Sequence, residues 1–390
     1  MNNPIRRRRP RKGGQEPNRM VRVAVVGPWV SEDIRQPPSG VANYIYNLLS
    51  SGTLKCDVTI IAQRGCKAGE PAPHLTVAEV WGPNRHATLS ILRTLARDRP
   101  NVLHLHHEFR LFGSISGSAL VYLGAALFRR RTNIVVTVHG VVSKHNVSGT
   151  LLGRKNSRTT QYIGSLAFVA TYKYLGWLAD DIIVLHDAFQ EVMAADYGLE
   201  STVIPIGIPS TATSGVSRDD ATVMMFGFLT AYKYPELVLE LAEANCIPNA
   251  RYLISVARNP RDHGTAYDSR YQAIERRARA LGDHAQWFPY LDEQTLAELL
   301  ERATVLVLPY TSLVAATAVG AQAVGSGTAV CYSTALEPIF GSGPAMFEMN
   351  LSSLTSAVIA ALSDRCTLTL RPPNWIDTLR DTERVWQKVS

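Results

Sequence analysis

Val21–Ser50 reads VRVAVVGPWVSEDIRQPPSGVANYIYNLLS: an apolar run, a loop holding glycine and proline, then apolar residues at helical spacing. The same order returns at Val223–Ala244, VMMFGFLTAYKYPELVLELAEA, with Lys233 at the mouth of the second helix. A run that is apolar on both faces suits a buried parallel strand. The helix after it turns unpaired backbone N–H groups and the positive end of its dipole toward the loop, so the unit suits an anion. Two copies predict two Rossmann-like halves facing each other across a cleft, with phosphate as the anion. The expected fold class is α/β.

Outward from these units, strand and helix signals alternate. In the first half the predicted strands are Val21–Gly27, Val58–Ala62, Val102–His106, Ile134–His139, Asp181–Leu185 and Val203–Ile206. In the second they are Val223–Phe228, Arg251–Val256, Ala285–Phe288, Val305–Pro309 and Thr328–Tyr332, with helices over Tyr271–Leu281 and Glu293–Ala303. Such alternation means a doubly wound sheet that binds ligands at the carboxyl ends of its strands. The predicted boundaries are a basic tail over 1–20, a first domain over 21–209, a polar linker over 210–220, a second domain over 221–375 and a last helix over 376–390.

The 390 residues suffice for two substantial cores. The net charge of +7 is unevenly placed: residues 1–22 carry +7, residues 23–200 carry +4 and residues 201–390 carry −4. The tail MNNPIRRRRPRKGG has the composition of a solvated, disordered arm, and it suits weak contact with an anionic membrane. It has no apolar core of the secretory kind, and nothing here calls for a specific nucleic-acid partner. Five scattered cysteines without a CxxC pair fit a reducing, cytoplasmic setting and no structural zinc. The apolar stretch Gly113–Phe128 is too short to span a bilayer, which takes ~20 residues, and is expected as a buried helix.

Several motifs point toward the cleft. Ser39-Gly40-Val41 opens the first helix, either as a ligand loop that lets backbone approach or as an ordinary N-cap. His104, His106 and His107 close one predicted strand; alternation sends the first two to one face and the third to the other, which disfavours a shared metal. His139 ends another strand, where it can donate to a sugar hydroxyl or phosphate, or sit as a satisfied core residue. Lys233, after Gly227, suits a diphosphate as a point charge; as a plain surface lysine it would be disfavoured by the helix dipole. In VLVLPYTSLVAATAVGAQAVGSGTAVCY, small residues at Ala315, Ala316 and Thr317 suit accessible amides for an oxyanion or close helix–sheet packing.

With these residues in hand, the chain resembles the retaining, nucleotide-sugar-dependent glycosyltransferases of the GT-B fold, the family-4-like group also called glycosyl transferases group 1. The matching stretches are SGVANYIYNLL, VLHLHHEFRLFG, VVTVHG, ADDIIVLHDAF, VIPIGI, FGFLTAYK, FPYLDEQTLAELLERATVLVLPY and SGTAV followed by ALEPI; together with NWIDTLRDTERVWQKV they cover roughly residues 21–385. The resemblance implies an acceptor domain first and a donor domain second, with the last helix crossing back to the first. Gly40 and Gly227 would approach the donor phosphates, His139 would contact the sugar, and Lys233 would pair with the diphosphate. Tyr290, in the Phe288–Tyr290 loop, would lie by the base, Ala316 and Thr317 would present amides, and Gln322 would face the ribose. His139 and Lys233 are thus the candidate catalytic residues, with no metal and no separate cofactor.

The implied activity is transfer of a sugar from a nucleotide diphosphate to a glycan, lipid-linked or small-molecule acceptor in bacterial glycan or natural-product biosynthesis. The family pattern has two glutamates where this chain has Val314 and Gln322, and an arginine where it has Thr230. Those departures keep open a non-catalytic protein that binds nucleotide sugar or a partner. An epimerase on the same fold is disfavoured, because its carboxylates are missing at the matching positions.

Overall fold

The computed structural model describes residues 20–31, 39–82, 87–109, 111–112, 115–144, 158–209, 221–259, 264–314, 318–364 and 372–390. The tail and the expected linker lie outside that set.

The first sheet holds β1 (Arg22–Val26), β2 (Asp57–Gln63), β3 (Gly69–Ala72), β4 (Leu75–Trp81), β5 (Val102–His107), β6 (Asn133–Val138), β7 (Asp181–Val184) and β8 (Thr202–Val203). Their spatial order is β3-β4-β2-β1-β5-β6-β7-β8, parallel throughout except at the β3–β4 pair. The second sheet holds β9 (Thr222–Phe228), β10 (Arg251–Ala257), β11 (Ala285–Phe288), β12 (Val305–Leu308), β13 (Ala329–Ser333) and β14 (Met346–Phe347), in the order β11-β10-β9-β12-β13-β14.

The helices are α1 (Gly40–Ser50), α2 (Ala87–Asp98), α3 (Ile115–Ala125), α4 (Arg158–Leu178), α5 (Asp187–Tyr197), α6 (Pro235–Glu243), α7 (Thr265–Ala280), α8 (Glu293–Arg302), α9 (Ala318–Gly325), α10 (Glu337–Phe340), α11 (Leu351–Asp364) and α12 (Trp375–Val389). Each sheet therefore has a point where the chain order reverses: between β1 and β5 in the first, between β9 and β12 in the second. Ligands of such sheets bind outside the carboxyl ends of the strands at that reversal.

Local chemistry explains the main elements. Ser39 caps α1 by accepting from the Ala42 amide at 3.2 Å. Val41, Tyr44, Ile45, Leu48 and Leu49 then bury one helical stripe of α1. A Cβ on Gly27 would come within 2.5 Å of Ile45 Cδ1, so the turn after β1 needs glycine for α1 to pack down. Asn374 caps α12 in the same way, through the Asp377 amide at 2.9 Å.

The buried face of α12 (Trp375, Leu379, Val385 and Trp386) belongs to the first domain's core, although the helix follows the second domain in sequence. The two chain crossings run side by side: the Ile208 amide donates to Pro373 O at 2.9 Å, and the Trp375 amide to Ile208 O at 3.3 Å.

One expectation is overturned. Gly113–Phe128 does not form a buried helix. Of α3 and the short 3-10 turn after it, Val121, Tyr122 and Ala125 are buried, whereas Leu120, Leu123 and Leu127 stand in solvent. The helix packs through one side only, because α2 and α4 cover its inner stripe and nothing described covers its outer one. No helix among the described residues is long and apolar enough to cross a membrane.

Candidate active site

On the first domain, His139 directly follows β6 and is buried, and its amide donates to His107 O at 3.0 Å. Its Nε2 lies 2.9 Å from His106 Nδ1, so one ring donates to the other. Tyr44, one turn into the helix that Gly40 opens, meets the His139 ring edge-on at 4.8 Å between centroids. A Cβ on Gly40 would meet nothing within 4 Å, so the backbone there faces open space.

The histidine array reaches deeper. His104 and His106 lie 4.6 Å apart on one face of β5, while His107 turns to the other face and contacts Tyr122 Oη at 2.8 Å. The Trp386 indole N–H donates to His104 Nδ1 at 3.1 Å. Because indole can only donate, His104 carries its proton on Nε2 and donates to Thr137 Oγ1 at 2.7 Å. Burial pushes His104 and His107 down to about 3. It also holds His106 well below the usual histidine range, with the neighbouring His104 and His139 rings adding to the effect. His104, His106 and His107 are neutral at pH 7.

On the second domain, Lys233 sits between β9 and α6, beside the β9–β12 reversal. Its segment is stitched to the end of β12 by Tyr234 N–H donating to Pro309 O at 2.8 Å and Thr311 N–H to Tyr232 O at 2.7 Å. Contrary to a surface placement, Lys233 is buried. Its ammonium lies 5.1 Å from the centre of the Tyr310 ring, and no carboxylate among the described residues pairs with it. Burial lowers its pKa to about 8.

Gly227 has φ +134°, and a Cβ there would come 2.7 Å from Lys233 Nζ and 3.9 Å from Val319 Cγ2. Gly227, Lys233 and the first turn of α9 therefore meet. Thr230 Oγ1 and Ser312 Oγ, in the flanking loops, are buried without hydrogen-bond partners. A buried cation with orphaned hydroxyls nearby is arranged for an anionic, oxygen-rich ligand.

Of the other expected residues, Gln322 lies half-buried in α9, and Tyr290 follows β11 at the sheet edge, two strands from β9. Ala316 and Thr317 lie outside the described residues. Val314 packs against the first domain's core, as does Leu313. Asn47 Nδ2 of α1 donates to Glu293 Oε1 of α8 at 3.3 Å, a second contact between the two halves.

Two contributors were given no site role from sequence. Arg270 braces the Lys233 loop: it donates to Thr230 O at 3.2 Å and Lys233 O at 2.8 Å, and forks onto Glu236 at 2.6 and 2.9 Å. No local signal marks it, since its partners lie on another helix and loop. His106 is the other; its strand-end position is visible in sequence, but its partner His139 is 33 residues away.

The model for Glycosyltransferase Family 4 matches residues 38–211. Over that stretch the chain is similar to the family-4 glycosyltransferases. No curated protein matches the sequence. Among solved structures, sucrose-phosphate synthase from Thermosynechococcus elongatus superposes with a TM-score of 0.68 at 16% identity, covering 95% of this chain and 99% of that one. HepE of Anabaena in complex with UDP gives 0.61 at 11% identity, covering 95% and 100%. The catalytic domain of starch synthase IV from Arabidopsis thaliana, bound to ADP and acarbose, gives 0.62 at 9% identity, covering 95% and 99%. At these identities the likeness concerns the fold. It agrees with two largely parallel sheets, each with one reversal of chain order.

Proposed function

We propose that this GT-B protein transfers a sugar from a nucleotide diphosphate to an acceptor held by the first domain, with retention at the anomeric carbon, without a metal ion, in the cytoplasm. The observation that carries the reading is the buried Lys233, which no carboxylate among the described residues pairs with, at the β9–β12 reversal beside Gly227. As the sugar–phosphate bond breaks, the sugar gains oxocarbenium character and the diphosphate gains negative charge. Lys233 and the amides at the start of α9 stabilise that leaving charge from a site already arranged for it. This is the work a divalent metal would otherwise do, and the chain holds no Asp-x-Asp pair to bind one.

His139, fixed by His106, offers the sugar a polar contact from the opposite wall. The nucleotide ligands of similar structures (UDP and UDP-glucose for HepE, ADP for starch synthase IV) support a donor of this class.

The direct test is a thermal-shift panel with UDP, GDP, dTDP and ADP, followed by turnover of the matching nucleotide sugars in excess chelator. A bound diphosphate at a hundred times its Kd raises stability by about 2.7 kcal/mol. His139→Ala should cut transfer strongly and leave diphosphate affinity nearly intact. Turnover that requires added manganese would remove the metal-free mechanism. The second reading, a non-catalytic binder, draws on Val314, whose side chain meets the first domain's core. Nucleotide binding without any transfer or hydrolysis of a sugar panel would favour it.

A further inference from the structure

The outer face of α3 and α4 is unlike the rest of the first domain. Leu120, Leu123 and Leu127 are 48%, 55% and 76% exposed, and Tyr162, Leu166 and Trp177 on α4 are 66%, 52% and 47% exposed. Leu120 and Leu123 share one side of α3, with Leu127 on the 3-10 turn that follows, and Tyr162, Leu166 and Trp177 fall within one narrow stripe of α4 at 3.6 residues per turn. The two helices are joined: Tyr174 Oη donates to Tyr122 O at 3.2 Å, and the Arg129 guanidinium lies 4.4 Å from the centre of the Trp177 ring.

Charge follows the same boundary. From Phe109 to Ala179 the chain has nine Arg and Lys and no Asp or Glu, whereas residues 201–390 carry −4 overall. Arg129, Arg130 and Arg131 follow directly on the leucine stripe, and Lys173 lies in α4 between Leu166 and Trp177.

We infer that this face docks on the surface of an anionic lipid bilayer. Exposed leucines lose water on entering the acyl boundary, and Trp and Tyr suit the headgroup level. The exposed Arg130 and Arg131 meet lipid phosphate, each adding about fivefold to binding near the surface. Apolar and basic groups in one face are what a monotopic surface contact needs.

A second copy of this chain fits less well. A two-fold contact would set Arg129–Arg131 of one copy against the same face of the other, like charge on like. Because helices following parallel strands start at the carboxyl edge of the sheet, Tyr162 lies toward the cleft and Trp177 toward the far end. The docked face therefore runs along the flank of the cleft. The inference does not require the transfer reading.

The experiment uses the full chain and sedimentation with vesicles of phosphatidylcholine alone or mixed with phosphatidylserine. The wild type should bind the mixed vesicles about tenfold or more better than the neutral ones. Leu123→Glu with Leu127→Glu should lower that binding at least as far, in low salt and high. Arg130→Glu with Arg131→Glu should lower it mainly at low salt. Deleting residues 1–18 should leave a salt-resistant fraction bound. Nucleotide binding and melting temperature, unchanged in these variants, show that each is folded.

Independently, quenching of wild-type fluorescence by brominated lipid should shrink in Trp177→Phe, which needs no charge reversal in the face. Wild-type binding that the leucine variants leave unaltered, or quenching unchanged in Trp177→Phe, overturns the inference. So does a concentration-dependent dimer that the leucine variants dissolve, since the face would then be an interface between copies.

Discussion

At the scale of single residues, Lys233 is the most consequential side chain. The unfolded chain holds its proton up to the ordinary pKa of 10.5, and the folded chain only up to about 8. Between those values the unfolded state binds more protons, so this residue makes stability rise with pH across that window. Below pH 8 both states are charged, and the buried ammonium remains a cost until an anion arrives. Lys233→Met should therefore raise the melting temperature of the ligand-free protein at pH 7 and flatten its dependence between pH 8 and 10.5. The same change should weaken a nucleotide diphosphate by about 1.5–3 kcal/mol while sparing the nucleoside. Equal losses for both ligands would show that Lys233 only shapes the loop.

His106 belongs to the same scale, as a positioning residue for His139. His106→Phe keeps the bulk and removes the ring nitrogen, leaving the His139 Nε2 without its partner at 2.9 Å. A lost orienting hydrogen bond is worth about 0.5–1.5 kcal/mol, so kcat should fall up to about tenfold, with the donor KM little changed. His106→Gln, which can still donate or accept, should recover part of the loss. A fall in KM and kcat together, with no recovery by glutamine, would assign His106 to packing.

At the scale of elements, the β5 histidine array gives the fold an acid limit. His104, His106 and His107 are neutral in the folded chain and protonate near 6.5 once unfolded. The unfolded state thus binds more protons below that pH, and stability should drop as pH falls from about 6.5 toward 3. Replacing His104 by Phe should shallow this drop, which denaturant melts at pH 7 and pH 5 would measure. A slope unchanged by the substitution would place acid sensitivity elsewhere.

The same strand shows how far sequence reading carries. Strands such as β5, β6 and β12 are legible because burial on both faces leaves a continuous apolar run. β3, with the sequence Gly69-Glu-Pro-Ala72, and β4 beside it form an edge pair with no such run, and they go unread. The alternation rule also sorts His104 and His106 from His107. It cannot supply the links to Trp386 and His139, which the sheet order alone creates. The apolar Gly113–Phe128 stretch misleads because composition cannot tell a helix buried all round from one left open on one side.

For the whole molecule, the decisive fact is that the first domain is completed by the end of the chain. Trp375, Leu379, Val385 and Trp386 of α12 lie in its core, and Trp386 is fully buried beside His104. Glu383 Oε1 accepts the Lys55 amide at 2.6 Å, tying the helix to the segment before β2. A Cβ on Gly207 would come 2.7 Å from Trp375 Cα, so the two crossings are packed backbone to backbone. The two domains are therefore not independent beads on a linker.

Removing a buried Trp alone costs about 3–5 kcal/mol, a large part of the ~5–15 kcal/mol that holds a domain folded. A fragment spanning residues 20–209 should then lack cooperative unfolding, and adding a peptide of residues 372–390 in trans should restore it. Circular dichroism melts of fragment, fragment with peptide, and fragment with a peptide carrying Trp386→Ala separate the cases. The first and third should melt broadly and the second sharply. A fragment that melts sharply without the peptide would show that α12 only decorates a domain already complete. In that event the Trp386–His104 bond could not be part of what sets the histidine array.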